Sequence, residues 1–181
     1  MPRVPLIDRT TASGDTRALL DQVHAVFGVT PQMFRATANS GAALKAMWSF
    51  FGALGGGTLP AQLAEQVAVA VADRNGCHYC LAAHTALGRK AGASAEAMAA
   101  AQLGESSDPR TAAALHFALQ LVEHRGQVSA GQVQALRDAD FDDAQVVELI
   151  AHVALNLFTN YLNLALDVPV DFPGVKLRRA T

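Results

Sequence analysis

Residues 59–91 read LPAQLAEQVAVAVADRNGCHYCLAAHTALGRKA, and the fold turns on how this stretch breaks into elements. Apolar residues recur three and four apart with no sustained period of two, in a segment dominated by alanine, leucine, valine and glutamine, so both halves read as helix. Pro60 suits the first position of one helix. Arg74-Asn75-Gly76 suits its end, because Asn or Gly can take the left-handed cap conformation. A sharp turn then launches a second helix lasting to about Ala91-Gly92. Both cysteines of the chain, Cys77 and Cys80, stand at its start.

The same spacing governs the chain on either side. It predicts a helix from Asp15 to Phe27, a short one after Pro31, and a third carrying Met47, Trp48, Phe50 and Phe51 until Gly55-Gly56-Gly57 ends it. The aromatic cluster reads as core or subunit contact. Further helices are expected after Ser94, after Asp108-Pro109, and after Ser129, whose Gln132 completes a capping-box pattern; Asp142 or Asp143 caps a last long helix. The expected fold is therefore all-α, without strands, in a single domain over residues 1–181. Within it 168–181, VPVDFPGVKLRRAT, forms an extended tail strapped across a neighbour, its Lys176, Arg178 and Arg179 a solvated charge run. AQLAEQVA from Ala61 also echoes AQVVELIA from Ala144, with Glu65 opposite Glu148. That is either a remnant of two similar hairpins or a chance likeness of two amphipathic helices.

At 181 residues a single domain buries about 70% of the surface its unfolded chain exposes, so no staple is needed for folding. Hydrophobic residues make up 51%, charged ones 17%, and the formal net charge is -2, which gives no electrostatic case for nucleic acid. MPRVPLIDRT has no apolar signal core, and the most apolar stretch, Ala144 to Leu166, is interrupted by Glu148, His152, Asn156, Asn160 and Asn163. A cytoplasmic protein with no membrane span is expected. Idle thiols stay reduced in that compartment, so two cysteines point to catalysis or metal binding rather than a structural disulfide.

At about 100° per residue, Cys77, Cys80 and His84 fall at about 0°, 300° and 340° and share one helix face. If the turn at Asn75-Gly76 folds the preceding helix back, Glu65 lies about 15 Å down one helix and His84 about 10 Å down the other, which brings the carboxylate to the imidazole's level. A relay follows: Glu65 orients and charges His84, His84 takes the proton from Cys80, and Cys77 waits one turn away to close a disulfide. Two opposed arguments leave the attacking sulfur open. The helix N-terminus favours a thiolate at Cys77, whereas proximity to His84 favours Cys80. Lowering a thiol pKa from about 8.5 to about 6.5 raises the thiolate at pH 7 about 25-fold, but a Brønsted slope near 0.45 takes back about 8-fold. With so small a net gain, the relay's larger value lies in delivering a proton to a departing alkoxide or hydroxide.

The arrangement Glu65, eleven residues, Cys77-x-x-Cys80, three residues, His84 resembles the signature of the alkylhydroperoxidase AhpD family, within the carboxymuconolactone decarboxylase superfamily. IAHVALNLFTNYLN from Ile150 looks like the C-terminal helix of its peroxidase-related members, so the resemblance covers about residues 59–172. It implies an AhpD-like helical bundle with the CxxC at the start of a central helix, assembled as a dimer, trimer or hexamer. It also implies thiol-dependent reduction of organic hydroperoxides, fed by a dithiol or thioredoxin-like reductant and needing no cofactor. By the same resemblance Cys80 becomes the sulfenic acid, Cys77 donates a proton and resolves it, and His84 and Glu65 complete the relay. The alkylhydroperoxidase itself carries a histidine just before its second cysteine; here Tyr79 stands there and His78 sits one residue earlier, which leaves the proton path and the reductant open. The decarboxylase branch lacks the cysteine pair, which argues against lactone decarboxylation.

Plainer alternatives stand beside these roles: an exposed helix charge for Glu65, a core histidine for His84, a solvent-facing His78, and simple packing for Tyr79. Tyr79 and His78 are candidate pocket residues, together with His152 and Asn156. The latter two belong to a stripe, His152, Asn156 and Asn160, recurring at i, i+4 and i+8 on an otherwise apolar helix. Buried polar groups need partners, so the stripe lines the pocket, bonds across an interface, or faces solvent. Two other functions fit the same residues. One is a structural zinc site on Cys77, Cys80, His84 and Glu65, for which three ligands on one helix make a poor tetrahedral set. The other is a redox sensor whose cysteine pair oxidises without turnover.

Overall fold

The structure, a computed structural model, describes residues 1–178, so Arg179 of the basic run lies outside the described residues. Among these there are nine α-helices and no strand: α1 Gly14–Phe27, α2 Gln32–Thr37, α3 Gly41–Gly55, α4 Ala61–Arg74, α5 His78–Lys90, α6 Ala95–Gln102, α7 Pro109–Glu123, α8 Ala130–Asp138 and α9 Asp143–Leu166. Side-chain caps set many of the starts. Asp108 accepts from Thr111 N ahead of Pro109, and full capping boxes at Ser129/Gln132 and Asp142/Gln145 open α8 and α9.

The turn between α4 and α5 is a Schellman motif. Gly76 takes φ 69°, Cys77 N donates to Ala72 O at 2.9 Å and Gly76 N to Asp73 O at 3.1 Å; a side chain at position 76 would strain it. This reversal lays α5 back along α4. The approach is close, since a Cβ on Gly88 would stand 2.6 Å from Met98 Sδ and 3.3 Å from Glu65 Cβ.

Helix α4 is the centre of the bundle, packed against α5, α6, α7 and α9. Its residues from Gln66 to Asp73 are all buried, as expected of a helix apolar on every side. Helix α9 alone among the described residues is long and apolar enough to cross a membrane. Its packing against α2, α3, α4, α5, α7 and α8, with Asn156, Asn160 and Asn163 buried, makes it a second core helix. The aromatic residues of α3 join this core: Trp48 and Phe51 each pack on Phe34, with ring centroids 5.7 and 5.9 Å apart.

Within the chain the tail is extended and lies along the helices of its own bundle. Asp171 Oδ2 accepts from Gln32 N at 2.7 Å, Phe172 stands edge-on to Tyr79 with centroids 5.7 Å apart, Gln102 Nε2 donates to Lys176 O at 2.8 Å, and Arg178 N donates to Asp73 Oδ1 at 2.9 Å. The physical reason is that buried Asp73 and Gln102 have polar atoms facing outward between helices, and the extended backbone satisfies them.

Candidate active site

Cys77 is the N-cap of α5, not a helical residue. Its sulfur accepts from Cys80 N at 3.3 Å, and its thiol donates to Cys80 Sγ at 2.8 Å. Both cysteines are free and buried. Cys80 sits in the first helical turn, where the positive end of the helix acts on it, and Asn163 Nδ2 donates to its sulfur at 3.1 Å. Burial pushes the Cys80 thiol up. The hydrogen bond from Cys77, the charge of His84 and the amides of Asn163 and Asn160 together outweigh burial and bring it down to about 7. The hydrogen bond with Cys80, with burial, holds Cys77 well above the usual thiol range. Of the pair, Cys80 is the sulfur whose ionisation its surroundings favour, and the Cys77 thiol that caps the helix donates to it.

On the facing helices Glu65 Oε2 and His84 Nδ1 are 2.7 Å apart, with side chains 22% and 13% exposed. Burial alone lowers the imidazole, but the charge and hydrogen bond of Glu65 and the Cys80 sulfur hold it above its ordinary value. His84 and Cys80 line one cavity of about 40 Å³, walled by Phe27, Phe34, Phe51, Tyr79 and Phe172 among others. That volume admits a few water-sized groups.

The remaining candidates separate. Tyr79 lines the cavity, and its hydroxyl accepts from Met33 N at 3.2 Å; burial holds its phenol above the ordinary value. His78 is exposed and faces the α9 C-terminus around Leu164 and Asp167; as the first helical residue its side chain points away from the cavity that Cys80 lines. Asn156 is buried, its amide donates back to His152 O at 2.8 Å within α9, and it does not wall the cavity. His152 is half-buried with an unpartnered Nε2. Burial keeps it below its ordinary value against the pull of Glu148 and Glu65, with His84 repelling. It flanks the carboxylate–imidazole pair and does not wall the cavity.

Asn160 and Asn163, not Asn156, bring the α9 stripe to the sulfur. The sequence signal was the continuation of the stripe to Asn163, at i+7 from Asn156. Among the described residues no group of three or more His, Cys, Asp or Glu is placed to hold a metal ion. The thiols bond to each other, whereas sulfurs sharing a tetrahedral zinc stand about 3.8 Å apart, and Glu65 is engaged by His84.

Residues 41–124 match the family model described as the carboxymuconolactone decarboxylase family. No curated protein matches the chain by sequence. Among solved structures, an alkylhydroperoxidase AhpD core, an uncharacterized peroxidase-related protein from Ralstonia eutropha JMP134, superposes with TM-score 0.84 at 24% identity over 94% of this chain and 92% of its own. An uncharacterized peroxidase-related protein from Silicibacter sp. TM1040 gives 0.81 at 20% identity, covering 93% and 91%. The debrominase Bmp8, as a cysteine-to-alanine variant in complex with 2,3,4-tribromopyrrole, gives 0.79 at 17% identity, covering 94% of each chain. The chain thus carries a match to the carboxymuconolactone decarboxylase family over residues 41–124 and shares the helical-bundle fold of AhpD-core and peroxidase-related structures.

Proposed function

We propose that the protein is a dithiol-dependent peroxidase that reduces organic hydroperoxides. The observation that carries this reading is that two contacts, Cys77 thiol to Cys80 sulfur at 2.8 Å and Glu65 to His84 at 2.7 Å, meet at one cavity that His84 and Cys80 both wall. The Cys80 thiolate attacks the terminal peroxide oxygen. A sulfur–oxygen bond forms, the oxygen–oxygen bond breaks, and His84 protonates the departing alkoxide, giving an alcohol and a Cys80 sulfenic acid. The Cys77 sulfur then attacks Cys80, its proton leaves with the hydroxide as water, and a Cys77–Cys80 disulfide remains. An external dithiol, free or on a thioredoxin-like protein, restores the pair in a reducing compartment such as the cytoplasm. The apolar outer face of α9, with Val147 65% and Tyr161 60% exposed beside Ile150 and Phe158, is the surface we assign to a second copy of the chain.

The test is consumption of cumene hydroperoxide with dithiothreitol in excess. Turnover is expected in the wild type and none in Cys80→Ser; in the absence of dithiothreitol, Cys77→Ser is expected to consume one equivalent, with the sulfenic acid trapped by dimedone. Full activity in both variants sinks the proposal, and a single equivalent consumed by the wild type makes the pair a sensor instead. The aromatic walls favour a second substrate class for the same dithiol, halogenated aromatics of the kind held by the debrominase of this fold. There two thiols would supply two electrons, carbon–bromine becoming carbon–hydrogen with release of bromide and a proton. Bromide release from tribromopyrrole distinguishes it.

A further inference from the structure

Asn160 is completely buried, yet its Nδ2 has no hydrogen-bond partner. An orphaned amide donor inside a well-packed core is costly and calls for a cause. In the structure Asn75 Nδ2 donates to Asn160 Oδ1 at 2.9 Å, which leaves the Asn160 NH₂ on the side away from Asn75. Asn75 is the C-cap of α4, the residue just before the turn that launches Cys77. The NH₂ it leaves free lies close enough to Cys80 to act on that sulfur. One turn further along α9, Asn163 already donates to the same sulfur at 3.1 Å. A neutral thiol is a weak acceptor; an anionic sulfur, or a sulfur bearing a new oxygen, accepts more strongly and from more donors.

We propose that Asn160 and Asn163 form a two-amide cradle for the anionic forms of Cys80, with the Asn160 donor held in reserve until charge develops, and that Asn75 is a positioning residue that aims it. The thiolate half of the proposal stands on the orphaned Asn160 donor, its contact with Asn75 and the neighbouring Asn163 contact with the sulfur. The extension to the oxygen of a Cys80 sulfenate rests on the peroxidase reading above. The arrangement works as an oxyanion hole does, with donors pre-aimed at where charge appears rather than where it rests.

The test needs no peroxide: the ultraviolet absorbance of the Cys80 thiolate is titrated in reduced protein, as the difference from Cys80→Ser. Asn160→Leu and Asn163→Leu, close in shape and without a donor, are each expected to raise the midpoint by about one to two pH units. Asn75→Ala is expected to raise it by less, through the freed Asn160 amide. Folding is checked by circular dichroism; should a leucine variant fail to fold, Asn75→Ala, whose side chain is only partly buried, carries the test. Unchanged midpoints in folded Asn160→Leu and Asn75→Ala overturn the cradle. Shifted midpoints in a protein that turns over no hydroperoxide keep the cradle and remove only the peroxidase reading.

Discussion

Replacing Glu65 by Gln separates charge from geometry at the centre of the site. The amide oxygen of Gln can still accept from His84 Nδ1, so ring orientation and tautomer survive while the carboxylate charge is lost. At 2.7 Å, with both side chains largely buried, unit charges attract by about 6 kcal/mol at an effective dielectric of about 20. Much of that is offset by desolvation. A charge-assisted hydrogen bond exceeds a neutral one by about 1–1.5 kcal/mol, which lowers the His84 midpoint by about one pH unit. The sign follows from the direction of the shift, since His84 is held above its ordinary value in the folded state and the substitution lets it fall. Activity requires Cys80 ionised, hence rises through about pH 7, and His84 protonated, hence declines above the His84 midpoint; the two groups interact, so the limbs belong to the pair. Moving the alkaline limb toward acid shrinks the overlap, and kcat/KM at pH 7.5 is expected to fall about tenfold. The stability that His84 gains from Glu65 is fully present below about pH 6.5 and lost as pH rises through its folded midpoint, so urea melts should separate wild type from Glu65→Gln by about 1–2 kcal/mol near pH 6 and by less near pH 8. Superimposable pH–rate profiles, with a stability gap independent of pH, would refute the relay and leave Glu65 a packing residue.

Three further outcomes are expected. Phe172→Ala removes the aromatic edge standing on Tyr79 and one wall of the small cavity. The ratio of cumene hydroperoxide to hydrogen peroxide turnover should rise, while stability falls by about 1–3 kcal/mol because the ring is only partly buried; an unchanged ratio means the tail does not gate the site. Gly88→Val puts methyl groups where Met98 and the Glu65 Cβ already stand, forcing α5 from α4. It should cost about 1–3 kcal/mol and weaken the relay beyond its effect on Tm, as read by the alkaline limb of the rate profile. Glu148→Ala removes a carboxylate that backbone and side-chain hydrogen bonds from Thr58 and Leu59 hold below its ordinary value. That stabilisation is present above about pH 4.5 and lost as pH falls through the folded midpoint, so the Tm difference from wild type should be clear at pH 7 and vanish near pH 3.

The helices were legible because their boundaries are written in local chemistry: Ser129 with Gln132, Asp108 before Pro109, Asn75-Gly76 after Arg74. The Glu65–His84 contact was legible too, since a tight reversal between two straight helices leaves little choice of which residues share a level. The identity of the ionised sulfur was not. It depends on whether Cys77 lies inside the helix or caps it, a difference of one residue, and boundaries are uncertain by that much from sequence. Asn163 and the folded-back tail were hidden for another reason. An asparagine carries no charge and no spacing rule toward a thiol, and the backbone groups that hold Lys176 and Arg178 look alike at every position.

The echo between AQLAEQVA in α4 and AQVVELIA in α9 takes on physical content once the two glutamates are followed. Glu65 turns to His84. Glu148 accepts from Thr58 N at 2.8 Å, Thr58 Oγ1 at 3.1 Å and Leu59 N at 3.1 Å, clamping the strand of chain that leads into α4. The rise per residue of a helix is fixed, so pinning residues 58 and 59 to α9 fixes the height at which Glu65, two turns on, meets His84. One residue of slip there moves the carboxylate by about 1.5 Å and turns it by about 100°, enough to break a 2.7 Å contact. From the same helix, α9 supplies the Asn163 amide to Cys80 and sets His152 beside the carboxylate–imidazole pair. The helix with no sulfur is thus the one that sets the register between acid, base and thiol. A substitution at Glu148, remote from the cavity, should therefore reach the chemistry through the height of Glu65 rather than through any charge of its own.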